Sequence, residues 1–148
     1  MTINELKELT TKLEQLIEEN NNNDGKFFTL DNEILKDALK QQVELHLRWE
    51  SLLSNVLRAY YDAETYTEAA YSDAMNNIMS NSNVDYTTTE AKILAQRDTN
   101  YIDIKLVYNR LLVLKRECES TLKAIDTRKW MLKGITDLVV QSTENHII

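Results

Sequence analysis

Residues 98–133 read DTNYIDIKLVYNRLLVLKRECESTLKAIDTRKWMLK, and this stretch decides the fold. It contains neither proline nor glycine, and its apolar residues recur at intervals of three and four, which is typical of an amphipathic α-helix. We predict a helical segment from about residue 88 to 141, with a kink or a break at 95–100; in the case of a break, Asp98 caps the second part. Its predicted apolar stripe consists of Ile104, Tyr108, Leu111, Leu114, Cys118, Leu122, Ile125, Leu132, Ile135 and Val139.

The remainder of the 148-residue chain also lacks helix breakers, since it contains no proline and its only glycines are Gly25 and Gly134. A chain with so few breakers has few turns and long helices. A second long helix is predicted from a cap at Asp31 to the polar turn at residues 81–83. Its predicted stripe consists of Leu35, Leu39, Val43, His46, Trp49, Leu53, Val56, Tyr60, Ala63, Thr67, Ala70 and Ala74.

The N-terminal part predicts a short amphipathic helix over residues 1–19, in which Thr2 and Glu5 have the spacing of a capping box. Its predicted stripe is Leu6, Leu9, Leu13 and Leu16. The asparagine run and Gly25 predict a polar linker over residues 20–30, with Phe27 and Phe28 near its end.

The fold class is therefore all-α. Residues 31–148 form a long, coiled-coil-like antiparallel helical hairpin, and a short amphipathic helix precedes it. One hairpin has too few internal faces for all its large apolar residues. Trp49, Trp130 and Met131 exemplify the surplus, which predicts a homo-oligomer.

No constellation of residues predicts catalysis, a metal site or a cofactor, so the chain is expected not to be an enzyme. His46 lies on the predicted stripe and is interpreted as a core or interface histidine, and His146 as an idle residue near the end. Cys118 is predicted to pack in the core, where burial suppresses thiol reactivity. Neither a signal peptide nor a membrane span is expected.

Charge is divided unevenly along the chain, whose net charge is −7. Residues 1–91 contain 7 Lys and Arg against 17 Asp and Glu, whereas residues 92–148 contain 10 against 7. The cations of the C-terminal half suit a phosphate backbone. Ion pairs with the acidic half and favourable contacts with the helix C-terminus remain open alternatives. Tyr60, Tyr61, Tyr66 and Tyr71 allow base stacking, but the acidic residues around them favour packing between helices.

The C-terminal pattern Cys118-x3-Leu122-x-Ala124-Ile125-x2-Arg128-x-Trp130-x2-Lys133 resembles the C-terminal helix of UvsY-type recombination mediators of T-even-like bacteriophages. Asp98 and the pair Arg48–Trp49 are also similar to that family. Residues 66–77, which correspond to a basic cluster of the family, contain no Lys or Arg, and the acidic N-terminal segment is longer than in the family.

The resemblance implies a ring of identical subunits that binds single-stranded DNA, destabilises the single-strand DNA-binding protein on it and helps load a RecA-like recombinase. It would act in the cytoplasm of the infected bacterial host, away from membranes. The alternative is a helical adaptor in phage assembly that does not bind DNA. Candidate DNA contacts are Arg48, Arg58, Lys115, Arg116, Lys123, Arg128, Lys129 and Lys133. Candidate oligomerisation residues are Trp49, Leu122, Ile125, Trp130, Met131 and Ile135.

Overall fold

Four α-helices form most of the described chain, which comprises residues 1–25, 35–81 and 83–146 of a computed structural model. No β-strand occurs within these ranges, so the all-α prediction is confirmed. The helices are α1 (Ile3–Asp24), α2 (Leu35–Asn81), α3 (Thr88–Ala95) and α4 (Thr99–His146).

Each predicted helix start with a described cap is confirmed by its hydrogen bonds. Thr2 and Glu5 form a reciprocal capping box at α1, with Thr2 N donating to Glu5 Oε2 at 2.9 Å. At α3, Thr87 Oγ1 accepts from Glu90 N at 3.2 Å. Asp98 caps α4, because its Oδ2 accepts from Tyr101 N at 2.9 Å. The predicted break before residue 100 therefore separates α3 from α4.

The predicted start of the polar linker at residue 20 is wrong, because α1 continues to Asp24. The Asn20 side chain donates to Leu16 O at 2.7 Å, and the buried Asp24 carboxylate binds side chains of α2. These contacts keep the asparagine run helical despite its low helix propensity. Phe27, Phe28 and the predicted cap Asp31 lie outside the described residues, and the assignment of residues 31–148 to one domain stays a prediction.

The chain divides into two compact units, each of which takes part of α1, α2 and α4. Unit 1 comprises Met1–Glu14 and Asn55–Lys115 and also contains α3, whereas unit 2 comprises Gln15–Ser54 and Arg116–Ile148.

The pairing of α2 with α4 is antiparallel in unit 1. Tyr60 contacts Tyr108, with ring centroids 5.0 Å apart, and Tyr71, further along α2, contacts Tyr101, which comes earlier in α4. Within unit 1, α2 and α4 therefore run in opposite directions.

The same direction holds in unit 2. Gln42 Nε2 donates to Ile125 O at 2.8 Å, while the earlier Ala38 accepts at its carbonyl oxygen from the later Arg128. The predicted antiparallel helix pairing is thus confirmed within each unit.

The buried face of α2 differs from the predicted stripe in its first half. Leu39 and Val43 are exposed, whereas Ala38 and Gln42 are buried. The buried positions follow one another in steps of three or four residues, the spacing of coiled-coil packing. They are Ala38, Gln42, Leu45, Trp49, Leu52, Val56, Ala59 and Ala63, followed by Thr67, Ala70 and Ala74. The prediction followed the largest apolar side chains, but the buried face follows the constant helical spacing.

Similar corrections apply to α1 and α4. On α1 the buried residues include Thr10 and Ile17, and Leu16 is exposed. Thr10 tolerates burial because its hydroxyl donates to Leu6 O at 2.7 Å. On α4, Val107 is buried while Tyr108 is only half-buried. Toward the end of α4, Ile135 and Val139 are exposed instead of buried.

Candidate nucleic-acid interface

A stacked pair of tyrosines lies at the edge between α2 and α4 in unit 1. The Tyr60 and Tyr108 rings are tilted by 30°, and their hydroxyls share a hydrogen bond of 2.7 Å. This hydrogen bond, together with desolvation by burial, raises the pKa of Tyr108 to about 12. The predicted packing of tyrosines between helices is confirmed for Tyr60, whose ring contacts that of Tyr108.

Two lysines of α4 lie over this pair. Lys105 Nζ is 4.3 Å from the centroid of Tyr108, and Lys115 Nζ is 5.4 Å from that of Tyr60. Tyr61 packs edge-on against Tyr60 at 5.6 Å and remains 57% exposed. We call these five residues the tyrosine–lysine cluster.

The tyrosine–lysine cluster combines the two elements of sequence-tolerant binding to single strands. An exposed aromatic ring provides a surface for base stacking, and ammonium groups attract the phosphate backbone. The nearby Glu64 carboxylate contributes to the raised pKa of Tyr108 and also weakens the positive potential.

Sequence reasoning identified Lys115 but missed Lys105 and Tyr108 as members of this surface. The i, i+3 spacing of Lys105 and Tyr108 on one helix is a signal that could have identified them. Their proximity to Tyr60 could not be read from the sequence, because it depends on the register of α2 against α4.

Most other basic candidates lie on the surface. Arg58 is exposed on α2, and four cations are exposed on α4 in unit 2: Arg116, Lys123, Lys129 and Lys133. Lys133 Nζ lies 5.1 Å from the centroid of Trp130. Their role in DNA binding stays a prediction. Arg48 is partly exposed, and its Nη2 lies 2.5 Å from Asp24 Oδ1.

Arg128 does not occupy the surface position predicted for a DNA contact. Its side chain is buried in unit 2, where Nη1 donates to Gln42 Oε1 at 2.9 Å and to Ala38 O at 3.2 Å. A guanidinium held in this way satisfies polar groups of its own core. Its position leaves no face for a phosphate group.

The candidate oligomerisation residues fall into two groups. Trp49 and Ile125 are buried within unit 2, which corrects their assignment to a surface, and Leu122 is half-buried. Trp49 also donates from Nε1 to Asp24 Oδ2 at 3.0 Å. Its ring is therefore packed in the core of unit 2, and its N–H group is hydrogen-bonded there. Trp130, by contrast, is 64% exposed, and Met131 and Ile135 are exposed as well.

An apolar groove runs between α2 and α4 in unit 2, with a volume of about 230 Å³. Val43 and Leu47, both exposed, contribute its apolar lining, and His46, Gln42, Asp126 and Lys129 complete it. Neither Val43 nor Leu47 was predicted as an interface candidate, and Val43 was predicted on the buried stripe of α2.

His46 and Cys118 were among the residues considered for catalysis, and the surroundings of both fit a structural role. His46 Nε2 lies 3.1 Å from Glu50 Oε1 at the surface of the groove. Cys118 is fully buried, and desolvation raises its pKa to about 11, so its predicted core position is confirmed. No group of three His, Cys, Asp or Glu side chains within the described ranges could hold a metal ion. None of the described helices combines the length and apolarity that a membrane span needs.

The fold is similar to that of a phage protein of known structure. The crystal structure of the recombination mediator protein UvsY of bacteriophage T4 matches with a TM-score of 0.72 and 18% sequence identity. The match covers 85% of this chain and 98% of the UvsY chain. No protein-family model matches the sequence, and neither does any curated protein. The predicted resemblance to UvsY is thus confirmed at the level of the fold.

Proposed function

We propose that this protein is a phage recombination mediator. It binds single-stranded DNA, destabilises the single-strand DNA-binding protein there, and helps load a RecA-like recombinase in the cytoplasm of the infected bacterial host. The observation that carries the proposal is the extent of the similarity to T4 UvsY, a recombination mediator, since 98% of that chain is matched.

The tyrosine–lysine cluster supports the DNA-binding part of this proposal. In this cluster the exposed Tyr61 packs against Tyr60. Lys115 lies over Tyr60, and Lys105 lies over the neighbouring Tyr108. Lys129 and Lys133, which are exposed on α4 in unit 2, are a second candidate for phosphate contacts. The overall charge of −7 opposes non-specific adsorption to DNA, so binding depends on these local surfaces.

The experiment that tests DNA binding compares matched charge reversals. Lys105→Glu with Lys115→Glu is expected to weaken binding of labelled dT30 at least tenfold and to reduce the slope of log affinity against log salt by about 1.4, from two phosphate contacts at roughly 0.7 each. Fluorescence anisotropy at several NaCl concentrations measures both quantities.

Lys36→Glu with Lys40→Glu is the control, because both lysines are exposed on α2 and the change in net charge is the same. An equal loss in this variant would mean that only total charge matters. The pair Lys129→Glu and Lys133→Glu tests the second surface in the same assay. If the wild-type protein does not bind dT30 at 20 mM NaCl and does not stimulate recombinase assembly, the adaptor function replaces the proposed one.

Self-assembly into a ring completes the proposal. The groove of unit 2 and the exposed apolar residues of α4, among them Trp130, Met131 and Leu138, leave an extensive apolar surface on a single chain. A surface of this kind marks a protein interface. A second copy is the simplest partner, because symmetric association of identical chains covers such a surface in every subunit.

Trp130→Ala is expected to produce smaller oligomers, because exposed aromatic residues are the usual anchors of interfaces. Native mass spectrometry gives the subunit number. Tyr61→Ala is the matched control, since Tyr61 is an exposed aromatic residue of unit 1. An unchanged subunit number in Trp130→Ala would remove this tryptophan from the interface.

A further inference from the structure

Helix α1 is strongly acidic and contacts basic side chains of α2 and α4. It contains six carboxylates and two lysines. Two of these carboxylates, Glu14 and Asp24, form ion pairs with Arg110 and Arg48. These pairs lie in different units, and each involves an arginine whose side chain is partly exposed.

In unit 1, the Arg110 guanidinium pairs with Glu14 and also donates to Thr11 Oγ1 at 3.2 Å. The side chains of Arg110 and Glu14 are 38% and 39% exposed. Ion pairs with this exposure are weak and sensitive to salt, because solvent screens both charges. An anion of higher charge or higher charge density can therefore displace the Glu14 carboxylate from Arg110.

In unit 2, Arg48 pairs with Asp24 in a more enclosed setting. The Asp24 side chain is almost fully buried, and its other oxygen accepts from Trp49 Nε1. Arg48 itself remains 40% exposed at its side chain. The carboxylate neutralises a cation that would otherwise present its charge to solvent.

We propose that α1 masks a further set of phosphate contacts, namely Arg110 and Arg48, and so restrains binding of single-stranded DNA. This inference rests on the proposed DNA-binding function. The partly exposed Glu14 carboxylate occupies the position that a phosphate group of the DNA backbone would take on Arg110, and the buried Asp24 neutralises the charge that Arg48 would present to a phosphate. A single strand that reaches Arg110 must first displace the Glu14 side chain, so α1 lowers the affinity for DNA.

This lower affinity follows from the release of counterions when a polyanion binds. Each arginine that contacts a phosphate releases a counterion and steepens the dependence of affinity on salt. An arginine already paired with a carboxylate releases none, and it contributes to affinity only after that pair has broken. Because the Glu14 pair is the more exposed one, it yields to DNA first. Asp24 holds Arg48 more firmly because it is buried.

Neutral isosteres of the two carboxylates test the inference. Glu14→Gln is expected to raise the affinity for labelled dT30 about threefold or more at 50 mM NaCl, and to steepen the salt dependence by about 0.7, the contribution of one single-strand phosphate contact. Glu14→Gln with Asp24→Asn is expected to double the change in slope. The side-chain amide introduced by Asp24→Asn still has an oxygen that can accept the hydrogen bond from Trp49, and circular dichroism at 222 nm verifies folding of each variant.

Glu18→Gln with Glu19→Gln is the control, because both residues are exposed on α1 and the gain in net charge equals that of the double variant. Equal affinity gains in the two double variants would overturn the inference in favour of general repulsion by α1. If Asp24→Asn prevents folding, the comparison of Glu14→Gln with Glu18→Gln decides the question alone. If the wild-type protein binds dT30 and Glu14→Gln binds it with the same affinity and the same salt dependence, the inference is overturned but the proposed function stands. Absence of binding in every variant overturns both.

Discussion

Trp49→Ala is expected to lower the free energy of unfolding by about 3–5 kcal/mol, the usual cost of truncating a large aromatic residue in a core. Trp49 is 0% exposed in unit 2, and its indole donates to the buried Asp24 carboxylate. The substitution therefore creates a cavity and also removes a hydrogen bond from a buried charge. Urea unfolding followed by circular dichroism at a fixed protein concentration measures the effect.

Trp49→Phe separates the two contributions, because phenylalanine retains most of the ring volume but cannot donate to Asp24. A loss of about 1–3 kcal/mol is expected, as for a buried polar group that loses a partner. A loss below about 1 kcal/mol for Trp49→Ala, where a core truncation costs several, would show that Trp49 is not a core residue. Its original assignment to the oligomer interface would then be preferred.

The second large effect concerns the buried polar pair of unit 2. Gln42→Leu is expected to reduce the free energy of unfolding by about 2–3 kcal/mol, because Arg128 Nη1 loses its contact with Gln42 Oε1 inside the core. Removal of one member leaves the guanidinium buried without this acceptor, and water cannot easily replace it. Chemical denaturation at constant protein concentration provides the measurement.

A double-mutant cycle identifies the cause. Gln42→Leu with Arg128→Met removes the buried charge together with its partner, and such apolar replacements are often neutral or stabilising. The double variant is therefore expected to be more stable than Gln42→Leu alone. Gln15→Leu, at an exposed position of α1, controls for the substitution itself. Additive effects of Gln42→Leu and Arg128→Met would rule out coupling between the two side chains.

Local chemistry allowed the helices and several of their boundaries to be predicted. Thr2, Thr87 and Asp98 each cap a helix through a hydrogen bond to a residue three positions further along the chain. Such short-range contacts are visible in the sequence because both partners belong to one motif. The near absence of glycine and proline similarly predicted the length of α2 and α4.

The register of the buried faces was less predictable, because it depends on partners distant in sequence. Gln42 is buried because Arg128 and Ile125 O, more than 80 residues away, satisfy its side chain. Asp24 extends α1 because Trp49 and Arg48 bind it. A reading based on apolar spacing alone places such residues on the surface.

The candidate DNA surface shows the same division. The cations of α4 were evident from the charge asymmetry, and Lys129 and Lys133 are exposed there, while their contact with DNA stays a prediction. The tyrosine–lysine cluster was not evident, since Tyr60 and Lys115 meet only through the packing of α2 against α4. The charge of a segment can be counted from its composition, whereas a surface for base stacking forms only where α2 packs against α4.

The buried face of α2 becomes poor in large side chains toward its C-terminal end, and this has a consequence for local unfolding. Ala63, Ala70 and Ala74 are buried there, and the buried residues of α3 are Ala91 and Ala95. An alanine methyl removes far less apolar area from water than leucine or tryptophan, and each missing methylene forfeits roughly 0.8 kcal/mol. Regions with little buried apolar area exchange with solvent through low-energy openings. We therefore expect backbone amides at the end of α2 and in α3 to exchange faster than those around Trp49 in unit 2.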